Sequence, residues 1–272
     1  ATYGGTAERR PGPTVVTSAR SCVSQRGTLP LREVYQRLRE RFGHQRWWPG
    51  ESPFEVCIGA ILVQNTRWTN VERALAGMKQ QRVLDPARLR DLPQCDLEEL
   101  LRPAGTFRIK AARVRHFLEV LWTDHGGSLE HLFSGPVETV RRRLLAIPGI
   151  GPETADCLLL YAGGHLSFVI DAYTRRVLER HGWARSKVRY EALQQACAAG
   201  LSTDEAAERL DLWQDFHAQM TVLGQRFCRA SAPVCGGCPL EPMLANEGEY
   251  GRPDNGKPPA PGRPVTGATH DR

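Results

Sequence analysis

Lysine is nearly missing from this chain. Only Lys79, Lys110, Lys187 and Lys257 occur among 36 basic residues, so the other 32 are arginines. Chemistry that needs a nucleophilic amine therefore has few side chains to draw on. Methionine is scarce, with three residues, and aromatic residues make up 7% of the 272. No apolar stretch approaches the roughly 18 residues of a membrane span, and the longest, Val56 to Val63, falls well short of it. The opening residues ATYGGTAERR contain no apolar leader segment, which argues against secretion. The start at Ala1 suggests a trimmed or engineered terminus. A cytoplasmic, monomeric protein without a membrane partner is the expectation. Convincing strands of period two are also missing, which points to an all-α fold.

Hydrophobic residues make up 41% and charged residues 24%, enough for a sizeable core. The net charge of +6 suits a polyanion such as DNA, although a bias toward arginine across a whole proteome would give the same excess. Without a secretion signal, the eight cysteines do not read as a disulfide framework. Cys57 and Cys157 lie in apolar runs and read as buried residues, whereas Cys228, Cys235 and Cys238 are clustered in CRASAPVCGGC.

Residues 1–28 and 245–272 lack periodicity and apolar content and read as a disordered arm and tail. Between them, helical spacing dominates. Leu31, Val34, Tyr35, Leu38 and Phe42 form one stripe. Phe54 to Val63 reads as a buried helix, with Ser52 as cap and Pro53 at its first position. Further stripes are Val71, Ala74, Leu75 and Met78; Val114, Phe117, Leu118 and Leu121; Val137, Val140, Leu144 and Leu145; Leu158 to Leu160; and Leu210, Trp213, Phe216 and Met220.

The strongest local signal is RRRLLAIPGIGPETADCLLLYA at 141–162. One helix ends near Ile147, Pro148–Gly151 turns the chain, and Pro152 opens a second helix. Gly149, Ile150 and Gly151 would let the backbone approach a ligand closely. The free amides of the second helix could then hold a phosphate, with Arg141, Arg142 and Arg143 flanking the same strand. A plain packing joint between two helices accounts for the same residues.

IPGIGPETAD resembles the helix–hairpin–helix of the DNA glycosylase superfamily (HhH-GPD) that includes endonuclease III. SPFEVCIGAILVQNT at 52–66, AGTFRIKA at 104–111, FVIDAYTRRVL at 168–178 and GQRFCRASAPVCGGC at 224–238 resemble further family segments, in the family's order. The resemblance implies a two-domain helical fold. A six-helix barrel would span 53–165, with the hairpin at 141–162. A second domain, from 29–52 and 166–244, would carry the cysteine cluster.

It further implies a base excision repair enzyme acting on double-stranded DNA with a damaged base, which it would flip into a cleft faced by Gln64 and Asp171. Asp171 would be the catalytic carboxylate, although Asp171 before AYTRRVL is also a good helix cap. Bifunctional members carry a lysine in the hairpin's second helix, where this chain has Glu153. A glutamate forms no imine, so a monofunctional glycosylase is expected, with Glu153 as a charge at a helix N-terminus or as a participant in catalysis. Trp47, Trp48 and Trp68 are similar to pocket aromatics of the 3-methyladenine branch, and core packing explains them equally well. Thr106 and Phe107 occupy the segment that wedges into DNA.

Cys228, Cys235 and Cys238 match three ligands of the family's 4Fe-4S cluster. Leu244 stands where the fourth is expected; Cys22 could replace it from the N-terminal arm, a non-cysteine ligand could complete the site, or the cluster could be lost, as in some 3-methyladenine relatives. Two rival readings are a bifunctional endonuclease III acting on oxidised pyrimidines and abasic sites, and a non-catalytic DNA-binding relative.

Overall fold

The computed structural model describes residues 29–47 and 50–244. The expected arm, the expected tail, Cys22 and Trp48 lie outside the described residues. Within them the chain forms helices and no β-strand.

Each helix follows from its sequence. α1 (Leu31–Phe42) buries Leu31, Val34 and Leu38 at helical spacing. α2 (Pro53–Leu62) begins where Ser52 Oγ accepts the amide of Glu55, with proline at the first position. It is buried from Phe54 to Leu62, as a central helix must be when apolar on every side. The one charge in that run, Glu55, is met by Lys79 Nζ at 2.8 Å. α3 (Trp68–Gln80) buries Val71, Ala74, Leu75 and Met78. α4 (Pro86–Asp91) is capped by Asp85 and leads to α5 (Gln94–Leu101). A 3₁₀ turn, Arg102–Ala104, joins α5 to the long α6 (Phe107–Thr123). α7 (Leu129–Phe133) and α8 (Val137–Leu145) precede the tight turn, and α9 (Pro152–Cys157) follows it.

Leu158–Ala162 departs from the expected helical stripe. It is a π turn, closed by the Gly163 amide donating to Leu158 carbonyl at 2.9 Å. The extra residue in that turn re-aims Leu160 and Tyr161 toward the last long helix. α10 (Ala172–Arg180), α11 (Tyr190–Gly200) and α12 (Ala206–Arg226) complete the chain.

The helices gather in two groups. α2 packs on α3, α6, α9 and the π turn, while α5 packs on α3 and α6. α12 packs on α1 and α10, and α11 rests on α1. One continuous core joins the groups. The π turn also links them: Gln214 Nε2 on α12 donates to Leu160 carbonyl at 2.9 Å, and Tyr161 hydroxyl donates to Gln214 carbonyl at 2.9 Å. No helix among the described residues is long and apolar enough to cross a membrane.

Candidate active site

The turn between α8 and α9 is braced from two other helices. Gln64, just past α2, donates through Nε2 to Gly149 carbonyl at 3.1 Å and to Thr154 Oγ1 at 2.9 Å. Its Oε1 accepts from Arg113 on α6. His116 Nδ1 lies 3.2 Å from Pro148 carbonyl. Gly149 has φ +92°, and the stem of Arg113 fills the space where a side chain would stand, so glycine is required there twice over. Gly151 differs. Its φ is −92°, it is exposed, and nothing lies within 4 Å of the direction its side chain would take. The turn therefore presents an open backbone at the start of α9. Ile150, between the two glycines, is buried and anchors the turn to the core.

The arginine triplet, expected to flank one strand, divides by partner. Arg141 makes two bonds to the buried Asp156, Nε–Oδ1 2.8 Å and Nη2–Oδ2 3.0 Å. Ser167 Oγ donates to the same carboxylate at 2.6 Å. Arg143 Nη1 donates to Leu132 carbonyl at 2.6 Å, tying α8 to the end of α7. Of the three, Arg142 is the one classed as exposed.

Asp171 is buried and is the N-cap of α10, its Oδ1 accepting the Thr174 amide at 2.7 Å. Its second oxygen lies 3.7 Å from His217 Nε2, with Thr221 Oγ1 at 3.4 Å. His217 Nδ1 lies 2.7 Å from Tyr161 hydroxyl, and the ring stacks on Trp47 at 6.1 Å with 8° between planes. Burial holds His217 below the ordinary imidazole range, although the Asp171 carboxylate favours its charged form. Glu153, at the exposed rim of α9, feels crowding by surrounding protein and then the Asp171 charge, and its carboxyl is pushed up to about 7.

An open pocket of about 250 Å³ adjoins this cluster, lined by Trp47, Tyr161, Gln214, Glu51 and the first residues of α2. The chain reaches Trp47 along an anchored path. Buried Asp215 accepts the Gln45 amide at 2.7 Å and Tyr35 hydroxyl at 2.8 Å, and Gln219 Nε2 donates to Gly43 carbonyl at 2.5 Å. Among the expected pocket residues, Trp47 lines the pocket. Trp68 packs against the core. Gln64 serves the hairpin turn, and Asp171 connects to the pocket through His217. Sequence reasoning missed Tyr161, Gln214 and His217. Their one signal was a polar residue inside an apolar helical run.

A family profile described as HhH-GPD superfamily base excision DNA repair protein matches residues 58–202. A protein of Methanocaldococcus jannaschii, provisionally named a DNA repair glycosylase, is 36% identical over 211 residues, covering 77% of this chain and 93% of its own. The chain belongs to the HhH-GPD superfamily. Endonuclease III of Thermotoga maritima is 28% identical over 203 residues, with 74% and 84% covered. Among solved structures, a non-covalent endonuclease III–DNA complex superimposes with a TM-score of 0.66 at 21% identity, covering 79% of this chain and 93% of that one. The H. pylori 3-methyladenine DNA glycosylase bound to 1,N6-ethenoadenine gives 0.62 at 23% identity, with 72% and 94% covered. These likenesses make the fold the two-domain helical fold of the superfamily.

In this HhH-GPD chain the described residues do not by themselves fit a 4Fe-4S cluster. Cys228, Cys235 and Cys238 share one loop. Leu244 supplies no donor, and among the described residues no group of three or more His, Cys, Asp or Glu is placed to hold a metal ion. The loop is tied to α10. Arg176 Nε donates to Cys228 carbonyl at 2.7 Å, and Arg180 donates to the carbonyls of Arg229 at 2.6 Å and Ala230 at 2.8 Å.

Proposed function

We propose that the chain is a monofunctional DNA N-glycosylase of base excision repair. It binds duplex DNA through the turn at Pro148–Gly151 and removes a flipped, damaged base with Asp171. The observation that carries the reading is the buried Asp171 carboxylate, linked through His217 to Tyr161 of the pocket, with Glu153 rather than an amine on the adjoining helix. The family model and the relative of M. jannaschii support the reaction class.

The chemistry follows from the charges. As the bond between base and C1′ breaks, its electron pair leaves with the base and the sugar becomes an oxocarbenium-like cation. A fixed carboxylate stabilises that cation in a site shielded from water. A water oxygen then bonds to C1′, and the proton it sheds passes to a carboxylate or to the departing base. Strand cleavage through an imine would need an amine at the sugar. Lys79 is paired with Glu51 at 3.0 Å and with Glu55, and Lys110 is buried, its Nζ donating to Ala104 carbonyl at 2.5 Å.

Borohydride trapping on an abasic duplex tests this reading. The protein should give no covalent complex, whereas Glu153→Lys should give a measurable one, since it places an amine in the first turn of α9. Efficient trapping by the unmodified protein would contradict the monofunctional assignment.

A further inference from the structure

The hydrogen bonds behind the pocket run in one direction. Burial raises Tyr161 well above the ordinary phenol range, so its hydroxyl keeps its single proton. That proton goes to Gln214 carbonyl at 2.9 Å, because a carbonyl can only accept. The hydroxyl oxygen is then the acceptor for His217 Nδ1, 2.7 Å away, so Nδ1 carries the proton of the ring. In a neutral imidazole this leaves Nε2 with a bare lone pair. Burial favours that neutral ring by holding His217 below the ordinary imidazole range.

Nε2 faces Asp171. Its distance to Oδ2, 3.7 Å, is too long for a hydrogen bond and matches two acceptors with no proton between them. Asp171 Oδ1 is committed to the Thr174 amide at 2.7 Å. Oδ2 is held more loosely: Thr221 Oγ1 stands 3.4 Å from it and also donates to His217 carbonyl at 3.1 Å. A proton delivered to Oδ2 therefore has a second acceptor beside it. An imidazolium at His217 would meet the Asp171 carboxylate, the Tyr161 oxygen and the parallel ring of Trp47. The other ionisable groups around this cluster are Glu153 and Cys157 on α9 and Asp215 on α12. Burial keeps Cys157 a thiol, and Asp215 is taken up by Tyr35 and the Gln45 amide.

We propose that His217 is the proton acceptor behind Asp171, and that the Gln214–Tyr161 relay fixes it in the tautomer this task needs. The inference rests on the Asp171 chemistry proposed above and adds the fate of the proton that water sheds. As the water oxygen bonds to C1′, one O–H bond breaks and its proton goes to Asp171 Oδ2. The proton moves on to His217 Nε2, which becomes imidazolium, and the carboxylate is restored. The base, which left with the electron pair of its bond, takes up a proton from solvent, and the imidazolium returns its own to solvent. His217 touches no reacting atom, so it is a positioning residue that acts through Asp171.

Nitrogen NMR of the full chain with labelled histidine, without DNA, reads the tautomer directly. The neutral His217 ring, assigned by the signal lost in His217→Gln, should carry its proton on Nδ1 and none on Nε2. Tyr161→Phe removes the fixing acceptor and should move the ring toward the Nε2–H form. Single-turnover excision of a lesion that the protein removes should fall about a hundredfold in His217→Gln. The unmodified rate should fall with acid along the titration that protonates Nε2, since a filled Nε2 accepts nothing, and His217→Gln should lack that limb. A ring protonated on Nε2 in the neutral, unmodified protein would overturn the inference. So would excision by folded His217→Gln within a few-fold, or an unchanged acid limb in that variant. Should His217→Gln fail to fold, the tautomer of the unmodified protein and its change in Tyr161→Phe decide. Excision surviving in Asp171→Asn, with the Nδ1–H tautomer intact, would count against the Asp171 reading itself.

Discussion

At the scale of single residues, the cleft sets two carboxyls against each other. Asp171 is fixed by a backbone amide and by Thr221, while Glu153 is crowded at the rim and pushed up to about 7. An unfolded chain releases the Glu153 proton near ~4.3. Between that value and about 7 the folded state holds a proton that the unfolded state has lost, so stability falls as pH rises through this window. Glu153→Gln removes the penalty. Its melting temperature relative to the unmodified protein should therefore be more favourable at pH 8 than at pH 4.5, and equal differences at the two values would contradict the shift. Asp171 was legible as a candidate because a cap and a catalytic carboxylate need the same residue type. His217 and Tyr161 were not. Their partners, Trp47 and Asp171, come from distant parts of the chain, and no local spacing records that meeting.

Elements repeat the contrast. α1, α2, α3, α6, α8 and α12 could be read because their apolar stripes run for several turns, and Ser52-Pro53 marks a start chemically. α4 and α7 have six and five residues, too few for a period to show. The π turn at Leu158–Ala162 looked like ordinary helix because its leucines are buried in either winding.

The pairing within the arginine triplet was not legible for a related reason: Asp156 becomes the partner of Arg141 only when α9 folds back on α8. Arg141→Ala would leave that buried carboxylate unpaired and should lower unfolding free energy by about 3–5 kcal/mol in denaturant melts. Arg142→Ala, on the exposed side, should change it by less than ~0.5 kcal/mol. At the turn, Gly151→Val meets open space and an ordinary backbone angle, so the fold should survive. Duplex affinity should nonetheless fall about tenfold, because the side chain blocks close approach of a phosphate. Unchanged affinity in the folded variant would return the turn to a packing role.

For the whole molecule, 36 basic residues against 30 acidic ones leave a net charge of +6, which suits a protein whose partner is DNA. The family fold was legible because its segments occur in order along the chain, each with its own local chemistry. The cysteine loop shows how far that legibility reaches. Two matched spacings, Cys228 to Cys235 and Cys235 to Cys238, point to a cluster, and the described residues tie the loop to α10 through Arg176 and Arg180 without supplying a fourth donor. Base removal by Asp171 without strand cleavage can be measured in one assay. The most direct measurement is single-turnover reaction over a panel of duplexes, each with one damaged base, analysed with and without hot alkali. At least one lesion should give strand breaks only after alkali, and Asp171→Asn should abolish them while still binding the duplex. Breaks appearing equally fast without alkali, or excision by Asp171→Asn within a few-fold of the unmodified protein, would contradict it.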